Sequence, residues 1–150
     1  MENNEQVTIL IAEDDDGHAR LIQRRFEEVG VHNPVIRFKD GAEAWDFISG
    51  KSAPCLAPDK HYLLLLDIRM PNMDGVEVLK RVKGDASLKN MPVIMLTTTD
   101  DPKEVARCYE LGCNNYLVKP IDFDRFSETI KRLGLFLMIV RVGRTKGESE

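Results

Sequence analysis

The sequence predicts an α/β fold: a doubly wound, five-stranded parallel sheet with helices on both faces. Three observations carry this. Short apolar runs alternate five times with stretches of helical periodicity. The third run, Tyr62–Leu66, is almost purely apolar, as a parallel strand buried on both faces should be. Right-handed crossovers leave few ways to connect five such units, and strands of this length suit the order 2-1-3-4-5.

The elements follow in order. Val7–Ala12 reads as a buried strand, ended by Glu13, Asp14, Asp15 and Asp16. Ala19, Ile22, Phe26 and Val29 then make one helical stripe, with Gly30 as its stop. Val35–Lys39 is the second strand. Asp40 is placed to cap the next helix, with Glu43 closing a capping box. Ala44, Phe47 and Ile48 point inward from that helix, and it stops at Gly50. The segment GKSAPCLAPDK has two prolines and no period, and is a loop. The third strand ends at Asp67. After a turn, a helix forms around Val76, Leu79 and Val82. Pro92–Leu96 is the fourth strand, followed by Thr97, Thr98 and Thr99. Asp101 caps a helix with Pro102 at its first position and Glu104 in its first turn, and Gly112 ends it. Asn115–Val118 is the fifth strand, ending at Lys119-Pro120. The last helix begins at Asp122, with Ile121 and Phe126 as a hydrophobic staple. Its core stripe is Phe126, Ile130, Leu133 and Leu137. The whole is a flavodoxin-like arrangement.

With 150 residues, the chain suits one domain with a real core. The expected organisation is a flexible 1–6, a domain over 7–133, an apolar extension over 134–142 and a disordered tail over 143–150. A separate output domain would need about 60 more residues. A net charge of −4 with no basic patch argues against nucleic acid as a partner. The polar, acidic start lacks the marks of a signal peptide, and no apolar run approaches a membrane span. The expected location is cytoplasmic, with Cys55, Cys108 and Cys113 as reduced thiols. In the extension, Leu135, Phe136, Met138, Ile139 and Val142 fall off the core stripe. Such a patch fits an interface, and a symmetric homodimer is the expectation.

The chemistry lies in what terminates each strand. Ligand sites of open parallel sheets lie beyond the carboxyl ends of the strands, where the strand order reverses. In the order 2-1-3-4-5 that point falls between strands one and three. Glu13, Asp14 and Asp67 therefore converge, flanked by Thr97 and Lys119. Three clustered carboxylates repel one another unless a cation sits among them. Hard oxygen donors favour Mg2+ over zinc. A metal alone leaves Lys119 and Thr97 unexplained. A phosphoryl dianion, which needs an ammonium and a hydroxyl, accounts for both. Asp67 is then a carboxylate nucleophile toward phosphorus.

The segments ILIAEDD, LLLLDIRMPNMDG, VIMLTTT and NNYLVKP resemble, in order and each at a strand end, the four signature blocks of response-regulator receiver domains of the CheY-like kind. The likeness spans roughly Val7 to Leu133. It implies a phosphorelay protein that accepts a phosphoryl group from a sensor histidine kinase and signals through protein contacts, with no effector domain after it. Beyond its own aspartyl phosphorylation and dephosphorylation it would catalyse nothing. By position, Asp67 would be the phosphoacceptor and Asp14 a direct Mg2+ ligand, with Glu13 holding metal-bound water. The backbone carbonyl of Arg69 would be a further ligand. Lys119 would pair with the phosphoryl group, and the Lys119-Pro120 bond would be cis. Thr97 and Tyr116 would be a coupled switch pair. The opening EDDDGHARLIQ, the long loop before the third strand and the ending IDFDRFSETIKRLGLFLMIV resemble regulators that partner phytochrome-type histidine kinases. Two departures stand out: Glu13 replaces the usual aspartate, and Thr98 stands where a smaller residue is common.

Plainer roles fit several neighbours. Asp15 and Asp16 read as acids favoured at a helix N-terminus, Thr99 as a strand-end residue, and Pro71 and Gly75 as turn brackets. His18 is expected to be an exposed first-turn helix residue rather than a phosphotransfer group. His32 and His61 fall in loop-like stretches. Three rival functions compare poorly. A small-molecule phosphohydrolase of the aspartyl-phosphate type would resemble a pattern with a second Asp where Arg69 stands. A phosphate-independent scaffold would not need all five site residues. A flavin domain would not place EDDD where phosphate must bind.

Overall fold

The computed structural model describes residues 7–51, 54–119 and 123–139, with the side chains of all but 123 and 136–139. The elements are β1 (Val7–Ala12), α1 (Asp16–Glu28), β2 (Val35–Phe38), α2 (Gly41–Ser49) and β3 (His61–Leu66). They continue with α3 (Gly75–Lys83), β4 (Val93–Thr97), α4 (Pro102–Leu111), β5 (Asn115–Val118) and α5 (Phe123–Ile139). All pairs are parallel and the order is β2-β1-β3-β4-β5. This is the predicted doubly wound, flavodoxin-like fold. Among the described residues no helix is long and apolar enough to cross a membrane. The expected cis bond at Lys119-Pro120, the staple residue Ile121, the cap Asp122 and the flanks 1–6 and 140–150 lie outside the described residues.

Alternation along the strands sorts side chains into two cores. Leu10 and Ala12 of β1, with Leu64 and Leu66 of β3, pack with Phe47, Val78, Leu79 and Cys108 from α2, α3 and α4. Ile9 and Ile11, with Leu63 and Leu65, pack with Ile22 and Phe26 of α1 and Ile130 and Leu133 of α5. Successive residues of β3 thus serve opposite faces, which is why the run is apolar throughout.

The helices start where side chains satisfy their free N–H groups. Asp15, Asp40, Asp74 and Asp101 accept from His18, Glu43, Glu77 and Lys103 amides. Glu43 returns the bond to the Lys39 amide, one residue before the position a capping box would use. Gly50 and Gly112 end α2 and α4 at φ 77° and 109°. Three strand boundaries differ from expectation. β2 stops at Phe38, one residue before Lys39. β4 runs Val93–Thr97, so Thr97 is in the strand; Pro92 precedes it and its carbonyl accepts from Leu64. His61 is not in a loop: it opens β3 opposite Val7 and is buried, since the loop before it closes early, with the Ala57 amide donating to the Tyr62 hydroxyl.

The apolar extension is described in part. Leu135 is half exposed on α5. The side chains of Phe136, Met138 and Ile139, and all of Val142, lie outside the described residues.

Candidate functional site

β1 and β3 pair in register to their ends, Ala12 beside Leu66, and the Asp67 amide donates to the Ala12 carbonyl at 3.0 Å. The next residues, Glu13-Asp14 and Asp67, therefore emerge side by side at the reversal of strand order. One carboxylate oxygen from each of Glu13, Asp14 and Asp67 lies within 4.8 Å of the others. Glu13 and Asp67 are buried, whereas Asp14 is exposed. Asp14 borders an open groove of about 490 Å³ shared with Arg69, Met70, Pro71, Asp74 and Glu104.

The acidic loop is held from outside. Arg37 of β2 donates two bonds, from Nε and Nη2, to the Glu13 carbonyl at 2.9 and 2.6 Å, and one from Nη1 to Asp16 at 2.7 Å. The bidentate guanidinium fixes the backbone that carries both acids.

Lys119 enters from β5. Its amide donates to the Thr97 carbonyl at 2.7 Å, tying the ends of β4 and β5 together. Its Nζ reaches Glu13 Oε1 at 2.5 Å, Asp67 Oδ2 at 3.3 Å and His18 Nδ1 at 3.2 Å. The other Asp67 oxygen accepts from the Ile68 amide at 2.8 Å. Burial pushes the Glu13 carboxyl up to about 7; Lys119 opposes this and the charge of Asp67 adds to it. One ammonium among three carboxylates leaves the site short of positive charge.

Thr97 is wholly buried, and its Oγ1 has no hydrogen-bond partner among the described residues. A buried hydroxyl without a partner is costly, so one invites an explanation. Tyr116, pointed to as its switch partner, lies inward at 9% exposure, and its hydroxyl donates to the Thr99 carbonyl at 2.7 Å. Burial pushes this phenol up to about 12. Arg69 Nε donates to Thr99 Oγ1 at 3.3 Å, so Thr99 joins the β3 and β5 sides of the site and is more than a strand-end residue. Thr98 is exposed.

The donor set fits a hard divalent cation. Octahedral Mg2+ at about 2.1 Å from its ligands places them roughly 3–4 Å apart, compatible with this cluster. The acids offer oxygen only, the two buried ones have a charge deficit, and Asp14 opens to the groove.

Sequence reasoning brought together Glu13, Asp14, Asp67, Thr97 and Lys119. It missed two residues. Arg37 gave no signal, because an arginine on an edge strand is ordinary. His18 was expected to be exposed but is half-buried: its ring packs T-shaped with Phe126 at a centroid distance of 5.1 Å. The available signal was its place four residues after Asp14, one turn into the helix that rises beside the site.

The chain belongs to the response regulator receiver domain family, whose model matches residues 9–131. Among its relatives is the response regulator Rcp1 of Synechocystis, 35% identical over 118 residues, 79% of this chain and 80% of Rcp1. The Mn2+-bound structure of Rcp1 superposes with a TM-score of 0.83 at 30% identity, covering 91% of this chain and 99% of that one. A response regulator receiver domain from Rhodospirillum rubrum reaches 0.86 at 43% identity, covering 94% and 100%. The phosphorylated cyanobacterial phytochrome response regulator RcpA reaches 0.79 at 30% identity, covering 89% and 94%. Phosphorylation on aspartate and Mg2+ binding are general properties of this family.

Proposed function

We propose that Asp67 is the phosphoacceptor of a phosphorelay and that the site works with Mg2+. The observation that carries this is Thr97 Oγ1, buried and without a hydrogen-bond partner among the described residues, on the strand end whose carbonyl binds the amide of Lys119, the one lysine of a charge-deficient acid cluster. An incoming phosphoryl group gives both Thr97 and Lys119 an oxygen to bond.

The step is a displacement at phosphorus. A carboxylate oxygen of Asp67 forms the new P–O bond as the P–N bond of a kinase phosphohistidine breaks; the imidazole leaves with the electron pair and takes a proton from solvent. Asp14 and Asp67 would hold the cation directly, Glu13 through a water molecule, and the Arg69 carbonyl would add a further ligand. The cation, when bound, offsets charge on the phosphoryl oxygens. Lys119 donates to one of those oxygens and Thr97 to another. Thr97 and Tyr116 act as the switch pair, which alters the surface around α4, β5 and α5 and hence protein contacts.

The donor is a sensor histidine kinase. The likeness to RcpA, a phytochrome response regulator, supports a phytochrome-type kinase, and the likeness to Rcp1 in its Mn2+-bound form supports a divalent cation here. The receiver unit is 7–133, acting in the cytoplasm. The apolar extension over 134–142, with Leu135, Phe136, Met138, Ile139 and Val142, forms a homodimer. Sedimentation velocity of Leu135→Glu checks this: a wild-type dimer unchanged in the variant refutes that interface.

The decisive experiment is incubation with Mg2+ and acetyl phosphate, then intact mass. One phosphoryl group, labile to hydroxylamine and absent in Asp67→Asn, is expected. An unmodified wild-type chain, with acetyl phosphate and with a kinase, overturns the reading.

A further inference from the structure

We propose that His18 is a positioning residue for this reaction: its Nδ1 accepts the third proton of the Lys119 ammonium and fixes where that ammonium points. This rests on Asp67 and Lys119 acting as described above.

An ammonium has three donors and no acceptor. Lys119 Nζ has three partners within 3.3 Å, one on each of Glu13, Asp67 and His18. Two are acids of the site. The third comes from α1 and is uncharged in the tautomer this geometry requires, with Nδ1 bare and the proton on Nε2. The ring also packs against a neighbour. It makes a T-shaped contact with Phe126 of α5 at 71° between planes, and the Phe126 ring centre also lies 6.0 Å from Lys119 Nζ. His18 and Phe126 thus both approach the ammonium that the two acids hold.

The geometry has a mechanistic consequence. A lysine held only by two carboxylates would be drawn wholly toward them. A neutral acceptor as third partner keeps one N–H occupied by a group that is not a carboxylate. The rotation of Nζ is then set before a phosphoryl oxygen arrives, and less order has to be imposed in the transition state. Glu13 Oε2 also lies 3.9 Å from His18 Nδ1, so the ring faces the carboxylate as well as the ammonium. The expected exposed first-turn role is thereby replaced by a place in the site.

Two substitutions separate the acceptor from the ring. His18→Asn puts an amide oxygen where Nδ1 stands and removes the contact with Phe126. His18→Phe keeps an aromatic ring against Phe126 and removes the acceptor. Both are assayed with wild type for the rate of phosphorylation by acetyl phosphate at saturating Mg2+, and for Mg2+ affinity. Losing one hydrogen bond to a charged group should slow His18→Phe about 10-fold or more. His18→Asn should stay within about 3-fold of wild type, and Mg2+ affinity should change little in either. The reverse order, or two equally slow variants, makes His18 a packing residue and overturns the proposal. A second readout needs no phosphoryl chemistry: long-range nitrogen NMR of the wild type at pH 8 should show His18 protonated on Nε2. Protonation on Nδ1 overturns the proposal. If wild type takes up no phosphoryl group while the tautomer is as expected, the acceptor reading has failed and the His18–Lys119 contact stands.

Discussion

Lys119 and Glu13 form a buried ion pair of 2.5 Å, shorter than the 3.3 Å contact of the same ammonium with Asp67. The pair draws the lysine toward the acid that begins the site, and Asp67 shares it only in part. Without a cation, the carboxylates of Glu13, Asp14 and Asp67 face a single lysine. Removing one negative charge should therefore relieve more repulsion than it costs in lost pairing. Asp67→Asn is expected to be more stable than wild type in EDTA, by about 1 kcal/mol, or a few degrees in Tm. Thermal unfolding checks this. A lower Tm would mean that Asp67 contributes more through Lys119 than it costs against Glu13.

The raised Glu13 carboxyl gives a second, pH-dependent expectation. Its ordinary value is 4.5 and its value in the fold is about 7. Between these limits the folded chain keeps a proton that the unfolded chain releases. Stability from this group is thus fully present below about 4.5 and is lost as pH rises through about 7. Asp15, Asp16, Glu77 and Asp85 are lowered by their hydrogen bonds, so their contribution is lost on acidification, below the window of Glu13. In EDTA, urea midpoints should fall from pH 5 to pH 8, and Glu13→Gln should flatten the fall. An equal slope in the variant would assign it to other groups.

A divalent cation should reverse the charge deficit. Mg2+ at 100 times its dissociation constant is expected to stabilise the chain by about 2.7 kcal/mol. Asp14→Ala should abolish most of this gain while leaving the metal-free Tm near that of wild type, because Asp14 is the exposed member of the cluster. Differential scanning fluorimetry across a Mg2+ titration decides it. A full gain in the variant would mean that Asp14 is not a ligand.

Gly75 was expected only to bracket a turn, and the structure gives that role a reason. A Cβ at this position would fall 2.0 Å from the Asp67 carbonyl oxygen and 2.8 Å from its carbon. The start of α3 is thus packed on the backbone of Asp67, and the Gly75 amide donates to the Ile68 carbonyl at 2.8 Å. Gly75→Ala must displace that backbone. The expected cost is about 1–3 kcal/mol of stability, with slower phosphorylation than in wild type. Denaturation and an acetyl-phosphate time course test it. A rate equal to that of wild type in a destabilised variant would separate the turn from the acceptor.

Strand ends were the legible part of this molecule. Glu13, Asp14, Asp67, Thr97 and Lys119 each follow or close a short apolar run, and parallel topology alone brings such ends together. The contacts of Lys119 were not legible in the same way. Spacing places its backbone, but whether Nζ meets Glu13, Asp67 or His18 depends on how far α1 leans over the sheet. That tilt is set by packing of Ile22, Phe26, Phe126 and Ile130, which no local pattern encodes. His61 was misplaced for a related reason: a histidine is weak evidence for a strand, and pairing with Val7 made it one. Arg37 reads as any edge-strand arginine until the Glu13 carbonyl is found between its nitrogens.

The three cysteines separate by environment, which yields a last expectation. Cys55 is exposed, whereas Cys108 and Cys113 are buried. Burial pushes the Cys108 thiol up to about 11, with Cys113 adding to the rise, and burial raises Cys113 as well. Thiolate is the reactive form, so both buried residues lack the species that alkylating reagents attack as well as the access they require. Iodoacetamide at pH 8 should modify Cys55 within minutes and leave the other two intact until urea unfolds the chain. Peptide mapping distinguishes the sites. Rapid labelling of Cys108 under native conditions would mean that α4 opens readily, because this thiol is the buried residue of α4 and packs in the same core as Tyr116. Protection of Cys108 together with labelling of Cys113 would instead confine the opening to the turn after Gly112 and leave α4 closed on the sheet.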